Sequence, residues 1–297
     1  MGQSNHLTKV VLNNHNFESI LFERINNKIN NISLKKDLID DPINYSLSNP
    51  GKRVRPLLAY LTADAIDLDL MKVDGLAAAI EVMHTYSLVH DDLPCMDNDS
   101  LRRGKPTIHI QYNESTAVLT GDALQSLAIM LISEDKNLTS DEKILLVQSL
   151  CSTVGHNGMI LGQYLDLQFE NTSPMRDEII NMYQLKTSLL IEFSIISPLL
   201  ISNKLNEDWR DLARLIGTSF QLIDDLIDVT QPTEIIGKTA SKDIDSKKKT
   251  LPILEGVEAS KELINDYKIK AFKKLDNLRL GDHPLKHYIE NLFERVH

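Results

Sequence analysis

Apolar residues recur at intervals of three and four along most of the chain, and no segment alternates convincingly between apolar and polar residues. This spacing places an apolar stripe along one side of a helix, so the chain is predicted to fold as helices packed on helices. The clearest repeats are Leu57, Leu58, Leu61, Ala65 and Ile66, then Leu76, Ala79, Ile80, Met83 and Ser87. Further helices are predicted over 115–133, 141–170, 176–202, 207–230 and 252–275.

Few residues interrupt this pattern. Glycine and proline number only 12 and 10 in 297 residues, and no Gly/Ser/Pro-rich linker divides the chain. We therefore predict one all-α domain over residues 1–297, a large helical bundle whose site lies in the core between facing helices.

Composition excludes several classes of function. The formal net charge is -10, which disfavours broad binding to nucleic-acid backbones. Cys95 and Cys151 are too few for a disulfide framework and favour a reducing compartment. The longest apolar stretch, Leu189 to Ile201, contains Glu192 and Pro198 and is too short to span a bilayer. A cytoplasmic protein without stable membrane insertion is the expectation.

The segment HDDLPCMDNDSLRRGKPT, from His90 to Thr107, concentrates carboxylates at the end of a mostly apolar predicted helix. A helix C-terminus already carries partial negative charge, so Asp91 and Asp92 there indicate a bound cation. Pro94 cannot continue the helix comfortably. The backbone is therefore predicted to turn near Pro94 and bring Asp97 back toward Asp91.

A second acidic motif, DDLID, lies within the apolar helix GTSFQLIDDLIDVT. Asp224 and Asp228 are four residues apart, so both lie on one helix face, roughly 5–6 Å apart at Cβ. Carboxylates among leucine and isoleucine would repel each other and lose hydration unless a cation binds them. Oxygen ligands without a His/Cys pattern favour Mg²⁺, which commonly binds one or two carboxylates together with substrate phosphates.

Basic side chains near both motifs are candidates for phosphate binding. Arg102 and Arg103 offer guanidinium groups suited to bidentate phosphate contacts. His84 lies seven residues before Asp91, on nearly the same helix face. The remaining candidates are Lys52, Arg53 and Arg55 of GKRVRP, Lys186 and Thr187 in an apolar helix, Lys238 in a loop and Lys249 before Thr250.

From about Asn49 to Pro252 the sequence resembles the short-chain trans-prenyl diphosphate synthases, most of all the bacterial farnesyl diphosphate synthases. The resemblance runs in order through GKRVRP, HDDLPCMDNDSLRRGKPT, GDALQ, GQYLDL, KTS, FQLIDDLIDV and KKKTLP. It implies an isoprenoid-synthase-like helical bundle around a deep central cavity with the two Asp-rich motifs facing each other. It also implies head-to-tail condensation of isopentenyl diphosphate with an allylic diphosphate to give farnesyl diphosphate.

The resemblance further implies roles for individual residues. Asp91 and Asp97, supported by Asp92, would bind Mg²⁺ on one wall, and Asp224 would bind it on the other with Asp225 and Asp228 behind. Three Mg²⁺ ions per site and a homodimer are implied. Isopentenyl diphosphate would be held by Lys52, Arg55, His84 and Arg103; the allylic diphosphate would be held by Arg102, Lys186, Thr187, Gln221, Lys238 and Lys249. The catalytic set is Asp91, Asp92, Asp97, Arg102, Lys186, Asp224 and Lys238. Ser100 departs from the family, where many members have another Asp.

Product length is predicted from the residues just before the first motif. Tyr86 precedes Asp91 by five residues, about 7–8 Å along a helix at about 1.5 Å per residue. A bulky Tyr86 beside small Ser87 would form a floor that stops growth at fifteen carbons. The segment LPCMDND also resembles plant geranylgeranyl diphosphate synthases, so a twenty-carbon product is the alternative.

Three other functions remain open at this point. A terpene cyclase shares this fold, but its second motif is typically an Asn/Asp…Ser/Thr…Glu pattern. A metal-dependent phosphohydrolase could use His90 and Asp91, although it would need further His ligands upstream and a distal Asp. A non-catalytic partner subunit would be expected to have lost one acidic motif, whereas this chain has both.

Overall fold

The computed structural model describes residues 14–32, 38–48, 51–230 and 248–295, which form layers of α-helices around a central cavity. Two short strands and a turn of 3₁₀-helix at Leu70–Lys72 accompany the helices. The elements are α1 (Asn14–Asn30), α2 (Asp40–Leu47), α3 (Val54–Ala65), α4 (Asp74–Asp91), β1 (Leu101–Arg102), β2 (Lys105–Pro106), α5 (Ile108–Gln111), α6 (Glu114–Ser133), α7 (Ser140–Val154), α8 (Met159–Phe169), α9 (Arg176–Tyr183), a π-helical segment (Gln184–Ser188), α10 (Leu189–Ile201), α11 (Glu207–Thr230), α12 (Leu251–Glu255), α13 (Val257–Asn277) and α14 (Pro284–Glu294).

The helix α4 lies at the centre of the bundle. Its first half, Leu76 to Val82, is buried on every side, which is the pattern of a core helix. It packs against α3 and α6, while α10 packs against α3, α7 and α11. The burial of α4 fixes the position of its C-terminal end, where the first acidic motif begins.

The predicted helices are confirmed, with two interruptions. The segment 207–230 is a single helix as predicted, and α7 begins with a capping box between Thr139 and Glu142. The predicted helix 141–170 is broken between Val154 and Met159, and the predicted helix 252–275 is broken at Gly256, whose φ is 91°. A positive φ is accessible to glycine at little cost, so the chain can turn there.

A two-residue hairpin is the main element that periodicity did not predict. Its strands pair Leu101 with Pro106 and Arg102 with Lys105, and its turn consists of Arg103 (φ 52°) and Gly104 (φ 77°). Two consecutive positive φ angles are typical of tight hairpin turns. Strands this short carry no alternation of apolar and polar residues, which is why the sequence pattern did not reveal them.

Three helical stretches are long and apolar enough to cross a membrane by length and composition alone: Glu114–Ser133, Ser140–Phe169 and Arg176–Ile201. The stretch Arg176–Ile201 differs from the expectation that Leu189 to Ile201 is too short to span a bilayer, because the helical stretch begins well before that apolar run. Arg176–Ile201 is the most enclosed, with 56% of its most apolar window buried in the bundle. On α6 and α7, by contrast, several large apolar side chains are exposed, including Leu119 and Ile144.

Candidate active site

A cavity of about 1130 Å³ is enclosed mainly by α3, α4, α8, the π-helical segment and α11. Both acidic motifs contribute to its lining, together with most of the predicted basic residues. The ionisable residues of the described chain that line it are Lys52, Arg53, Arg55, Glu81, His84, Tyr86, His90, Asp91, Asp97, Asp99, Arg102, Arg103, Tyr164, Asp166, Tyr183, Lys186, Asp224, Asp225, Asp228, Lys248 and Arg295.

The first acidic wall is built by the end of α4 and the turn that follows. The amide of Met96 donates to the carbonyl of Leu93 (2.9 Å), and the amide of Asp97 donates to the carbonyl of Asp91 (2.8 Å). The chain therefore reverses around Pro94 and returns Asp97 to the end of the helix, as predicted. Lys248 approaches the Asp97 carboxylate at 3.2 Å, so this wall combines carboxylates with a lysine from a distant segment.

Asp92 does not line the cavity with Asp91. Its side chain is buried and accepts a hydrogen bond from Arg102 Nε (3.0 Å), with a second, very short contact from Arg102 Nη2. Its position therefore differs from that predicted for a metal ligand: Asp92 lies behind the wall and fixes the guanidinium of Arg102, which does line the cavity.

The second acidic wall is the C-terminal half of α11. Asp224, Asp225 and Asp228 all line the cavity. Gln221 Nε2 donates to Asp225 Oδ1 (2.7 Å), and Thr187 Oγ1 donates to Gln221 Oε1 (2.5 Å). These bonds join the predicted Thr187 and Gln221 to the motif. Asp228 Oδ2 is buried and accepts no hydrogen bond among the described residues.

Lys186 reaches the cavity from a π-helical turn. A Cβ atom on Gly162 would lie 2.2 Å from the backbone nitrogen of Lys186, so glycine permits α8 to approach this turn closely. Lys186 Nζ lies 2.5 Å from Asp166 Oδ2. Although burial disfavours the charge, Asp166 and Asp91 raise the pKa of Lys186, so the ammonium is retained. Single π-helical turns are found frequently at functional sites.

The carboxylates of the two walls fit Mg²⁺ better than a transition metal. Burial raises the pKa of Asp91 to about 6, which shows that its charge lacks full compensation from the protein. On the second wall, Asp228 Oδ2 is buried without a hydrogen-bond partner among the described residues. No group of three His, Cys, Asp or Glu side chains converges on one point in the described part of the chain. One or two carboxylates per ion, completed by water and phosphate oxygens, is the usual Mg²⁺ arrangement.

Four basic side chains form a cluster in the same cavity. This basic cluster consists of Lys52, Arg55, His84 and Arg103, and Arg55 Nη1 lies 3.4 Å from His84 Nε2. Burial and the neighbouring Arg55 lower the pKa of His84 well below its usual value. The imidazole is therefore neutral at pH 7 and acts as a hydrogen-bonding group among permanent cations.

Tyr86 and Ser87 both line the cavity on α4. The Tyr86 side chain is buried, its ring meets His90 edge-on with centroids 5.0 Å apart, and its hydroxyl is hydrogen-bonded to Gln125 of α6. The side chain is therefore held in one position, as a rigid floor would require.

The structure does not place either of the predicted lysines Lys238 and Lys249 in the cavity. Lys238 lies outside the described residues. Lys249 does not line the cavity, whereas its neighbour Lys248 does. A run of consecutive lysines gives no means of choosing between them.

Two further residues that line the cavity, Asp166 and Arg295, were not predicted from the sequence. An acid in the apolar helix GQYLDL was a signal for Asp166, but Arg295 lies 67 residues beyond the second motif and no local pattern marks it.

Comparison with known proteins agrees with this geometry. Residues 36–279 match the polyprenyl synthetase family. A farnesyl diphosphate synthase of Micrococcus luteus is 38% identical over 95% of this chain and 97% of its own. Geranylgeranyl pyrophosphate synthase 3, chloroplastic, of Arabidopsis thaliana is 39% identical over 84% of this chain and 70% of its own. The crystal structure of a Helicobacter pylori geranyltransferase complexed with magnesium and isoprenyl diphosphate superimposes with a TM-score of 0.83 and 33% identity over 97% of this chain and 98% of that chain.

A helical bundle whose cavity carries two acidic walls and a basic cluster defines a class of diphosphate-processing enzymes. The chain belongs to the polyprenyl synthetase family, because the family match covers most of its length.

Proposed function

We propose that the protein is a trans-prenyltransferase that condenses isopentenyl diphosphate with dimethylallyl or geranyl diphosphate and releases farnesyl diphosphate. The observation that carries this proposal is one cavity lined both by the two acidic walls and by the basic cluster of Lys52, Arg55, His84 and Arg103. Two diphosphate groups can then be bound side by side, one through carboxylate-held cations and one through Lys and Arg alone.

Asp91 and Asp97 on one wall and Asp224 and Asp228 on the other are the residues that would hold Mg²⁺, with three ions per site. Bound Mg²⁺ supplies electrostatic stabilisation of the negative charge that develops on the leaving diphosphate. A ligand-bound relative contains magnesium, which supports the same cofactor here.

Side chains of the chain itself would complete the binding of the leaving group. Lys186, Arg102 and Lys248 line the cavity and would direct positive charge toward the allylic diphosphate. Fixed cations in an enclosed site stabilise a leaving diphosphate without reorganising as the C–O bond breaks.

The carbocation formed next must be protected from water. Leu167, Met182 and Leu190 contribute apolar lining beside the acidic walls, which disfavours water near the cation. The alkene of isopentenyl diphosphate, held by Lys52, Arg55, His84 and Arg103, attacks the cation, and the resulting intermediate loses a proton. No strong base stands out among the lining side chains described above, so the departed diphosphate is the proposed acceptor.

Fifteen carbons is the proposed product length, with twenty as the alternative within the same family. Burying each additional CH₂ gains about 0.8 kcal/mol, so growth must be stopped by steric exclusion rather than by affinity. The fixed, buried ring of Tyr86 supports a floor at this depth.

The competing functions are less well supported. A phosphohydrolase would use His90 as a metal ligand, but here His90 Nε2 lies 3.0 Å from the carbonyl oxygen of Val118. Its ring packs closely against Gly121, where a Cβ atom would lie 2.0 Å from Nε2. A non-catalytic partner subunit would not need two intact acidic walls on one cavity. The motif of the second wall remains DDLID rather than the pattern of a terpene cyclase.

A homodimer in the cytoplasm is the proposed state of the protein. The support for a dimer is the exposure of Val118, Leu119, Ile144 and Leu145 on α6 and α7, which pack against each other. Covering such residues would contribute to an interface of about 800 Å² per subunit. Sedimentation of the wild type and of Leu119→Glu tests this: we expect a dimer for the first and a monomer for the second.

The decisive experiment is incubation with dimethylallyl diphosphate, isopentenyl diphosphate and Mg²⁺, followed by chromatography of the products. We expect farnesyl diphosphate and inorganic diphosphate. A cyclic hydrocarbon would indicate a terpene cyclase, hydrolysis without carbon–carbon bond formation a phosphohydrolase, and no turnover a non-catalytic subunit.

A further inference from the structure

One arginine of GKRVRP, Arg53, differs from its neighbours because its side chain is buried in a contact with the protein. Lys52 is exposed at the cavity, whereas Arg53 is buried. The Arg53 guanidinium meets Glu81 of α4, with Nη1 2.5 Å from Oε1, and both side chains are 2% exposed. A charge pair this deeply buried is costly to desolvate, so its presence beside a binding site needs a reason.

Arg53 connects four segments around the basic cluster of the cavity. Its Nε donates to Asn26 Oδ1 of α1 (3.3 Å) and its Nη2 donates to the carbonyl of Leu47 at the end of α2 (3.3 Å). The residue itself immediately precedes α3, and its third partner, Glu81, belongs to α4. The side chain thus ties the start of α3 to α1, α2 and α4.

The backbone at this position is strained in support of that connection. Arg53 has φ 51° and ψ 33°, the left-handed region that favours glycine. Arg103, which belongs to the same basic cluster, also has a positive φ of 52°. Left-handed residues that are not glycine persist where surrounding contacts hold them, and they concentrate at binding sites. Here the buried contacts of Arg53 hold a turn from which Lys52 and Arg55 both reach the cavity.

Glu81 also acts on the other cations. Burial lowers the pKa of Arg55 and of Arg103, and in both cases the negative charge of Glu81 is the largest influence opposing it. Lys52, Arg53, Arg55 and Arg103 would otherwise repel one another before a substrate arrives. The buried carboxylate of Glu81 reduces this repulsion, while Lys52, Arg55 and Arg103 still line the cavity where an anion would bind.

Resting on the proposed function, we propose that Glu81 and Arg53 form a positioning pair for the diphosphate that is bound without metal, and so set the affinity for isopentenyl diphosphate. Neither is a catalytic residue, since the pair acts through Lys52, Arg55 and Arg103. The pair is expected to govern the KM for isopentenyl diphosphate more than the KM for the allylic diphosphate, because the contacts of Arg53 described above include no carboxylate of the acidic walls.

The test is steady-state kinetics on Glu81→Gln, which keeps the shape and removes the charge. We expect the KM for isopentenyl diphosphate to rise about tenfold or more, while the KM for the allylic diphosphate and kcat at saturation change by less than about threefold. Glu81→Asp, which restores the charge, is expected to recover much of the affinity. A KM for isopentenyl diphosphate that rises no more than that for the allylic substrate overturns the proposal.

A matched control lies on the same helix. Asp74 of α4 pairs with Arg24 at 2.6 Å away from the cavity, and Asp74→Asn should lower thermal stability without altering the ratio of the two KM values. If Glu81→Gln behaves like this control, the pair is merely structural and the proposal is wrong.

A second variant covers the case in which Glu81→Gln does not fold. Arg53→Met combined with Glu81→Leu replaces the pair with apolar side chains, a change that buried ion pairs often tolerate. This variant is expected to fold and to show the same selective loss for isopentenyl diphosphate, whereas a wild-type KM would overturn the proposal. Failure of the wild type to form any prenyl product would instead refute the proposed function.

Discussion

The two acidic walls of the cavity use the same residue type but are built in different ways. The first wall is a helix end, a turn and a hairpin. Behind it Arg102 of the hairpin pairs with Asp92, and Lys248 from a distant segment approaches Asp97. The second wall is one uninterrupted helix, in which Gln221 supports Asp225 from four residues away. The first wall therefore depends on tertiary contacts, whereas the second depends mainly on helical periodicity.

This difference has an electrostatic consequence. Asp92 is 4% exposed and buried against Arg102, so that ion pair cannot exchange freely with solvent. Asp224 pairs with Arg295 at 3.1 Å, but its side chain is 41% exposed. A buried pair such as Asp92–Arg102 holds the local structure in place. A more exposed pair such as Asp224–Arg295 contributes little to the free energy of unfolding and can open when a metal or substrate binds.

The largest expected effect tests whether both walls are needed. We expect Asp91→Ala and Asp224→Ala each to reduce turnover by about 10²-fold or more, as removal of other charge-stabilising groups does, with the fold intact. Product formation at saturating Mg²⁺ and circular dichroism measure the two outcomes. Asp266→Ala, which alters an exposed pair with Lys270 on α13, is the control. Wild-type turnover in either variant would refute the two-wall model of metal binding.

The second prediction compares the two ion pairs directly. Arg102→Ala removes the guanidinium that pairs with the buried Asp92 and should reduce the free energy of unfolding by about 3 kcal/mol. Arg295→Ala removes the partner of the more exposed Asp224 and should cost less than about 1 kcal/mol. Urea denaturation of both variants measures the difference. Equal losses would show that the two walls are not built differently.

The third prediction concerns the pH dependence of the first wall. The pKa of Asp91 is raised from 3.8 to about 6, so the folded protein without metal disfavours its ionised form. Stability from this group is therefore present at low pH and lost as the pH rises from about 4 to about 6. Asp91→Asn should gain about 1–2 kcal/mol over the wild type between pH 4 and pH 7, less than the full shift because the side chain is half-buried.

Denaturation of both proteins in the presence of a chelator, across that pH range, measures this gain. Asp266→Asn serves as the reference for a carboxylate outside the cavity. A stability difference between wild type and Asp91→Asn that does not change with pH would contradict the raised pKa of Asp91.

The smallest expected effect on turnover is that of replacing Tyr86 of α4, which is predicted to set the product length. Tyr86→Ala should shift the product to twenty carbons or longer with little loss of turnover, because the floor is removed and the metal-binding carboxylates remain. Tyr86→Phe keeps the ring and loses the bond with Gln125, and should still stop at fifteen carbons. Chromatography of the products of each variant measures their chain lengths. A wild type that makes mainly twenty carbons, or an alanine variant that stops at fifteen, would show that Tyr86 is not the floor.

Much of the fold could be predicted from local sequence because helices are local structures. The limits of α11 coincide with the predicted 207–230, and the return of Asp97 to Asp91 was predicted from Pro94 alone. Each of these features depends on residues within a few positions of one another, so the periodicity or the turn chemistry suffices.

Only the tertiary structure decided which side chains meet across the cavity. The ion pair of Asp166 with Lys186, the choice of Lys248 over Lys249, and the approach of Arg295 to Asp224 each join different elements of the fold. The inward orientation of Arg53 within GKRVRP likewise depends on Glu81 in a different helix. The sequence by itself determined the helices, their apolar faces and the chemical nature of the site. Helix packing determined which charges are buried together, because burial and pairing depend on neighbours that lie far apart along the chain.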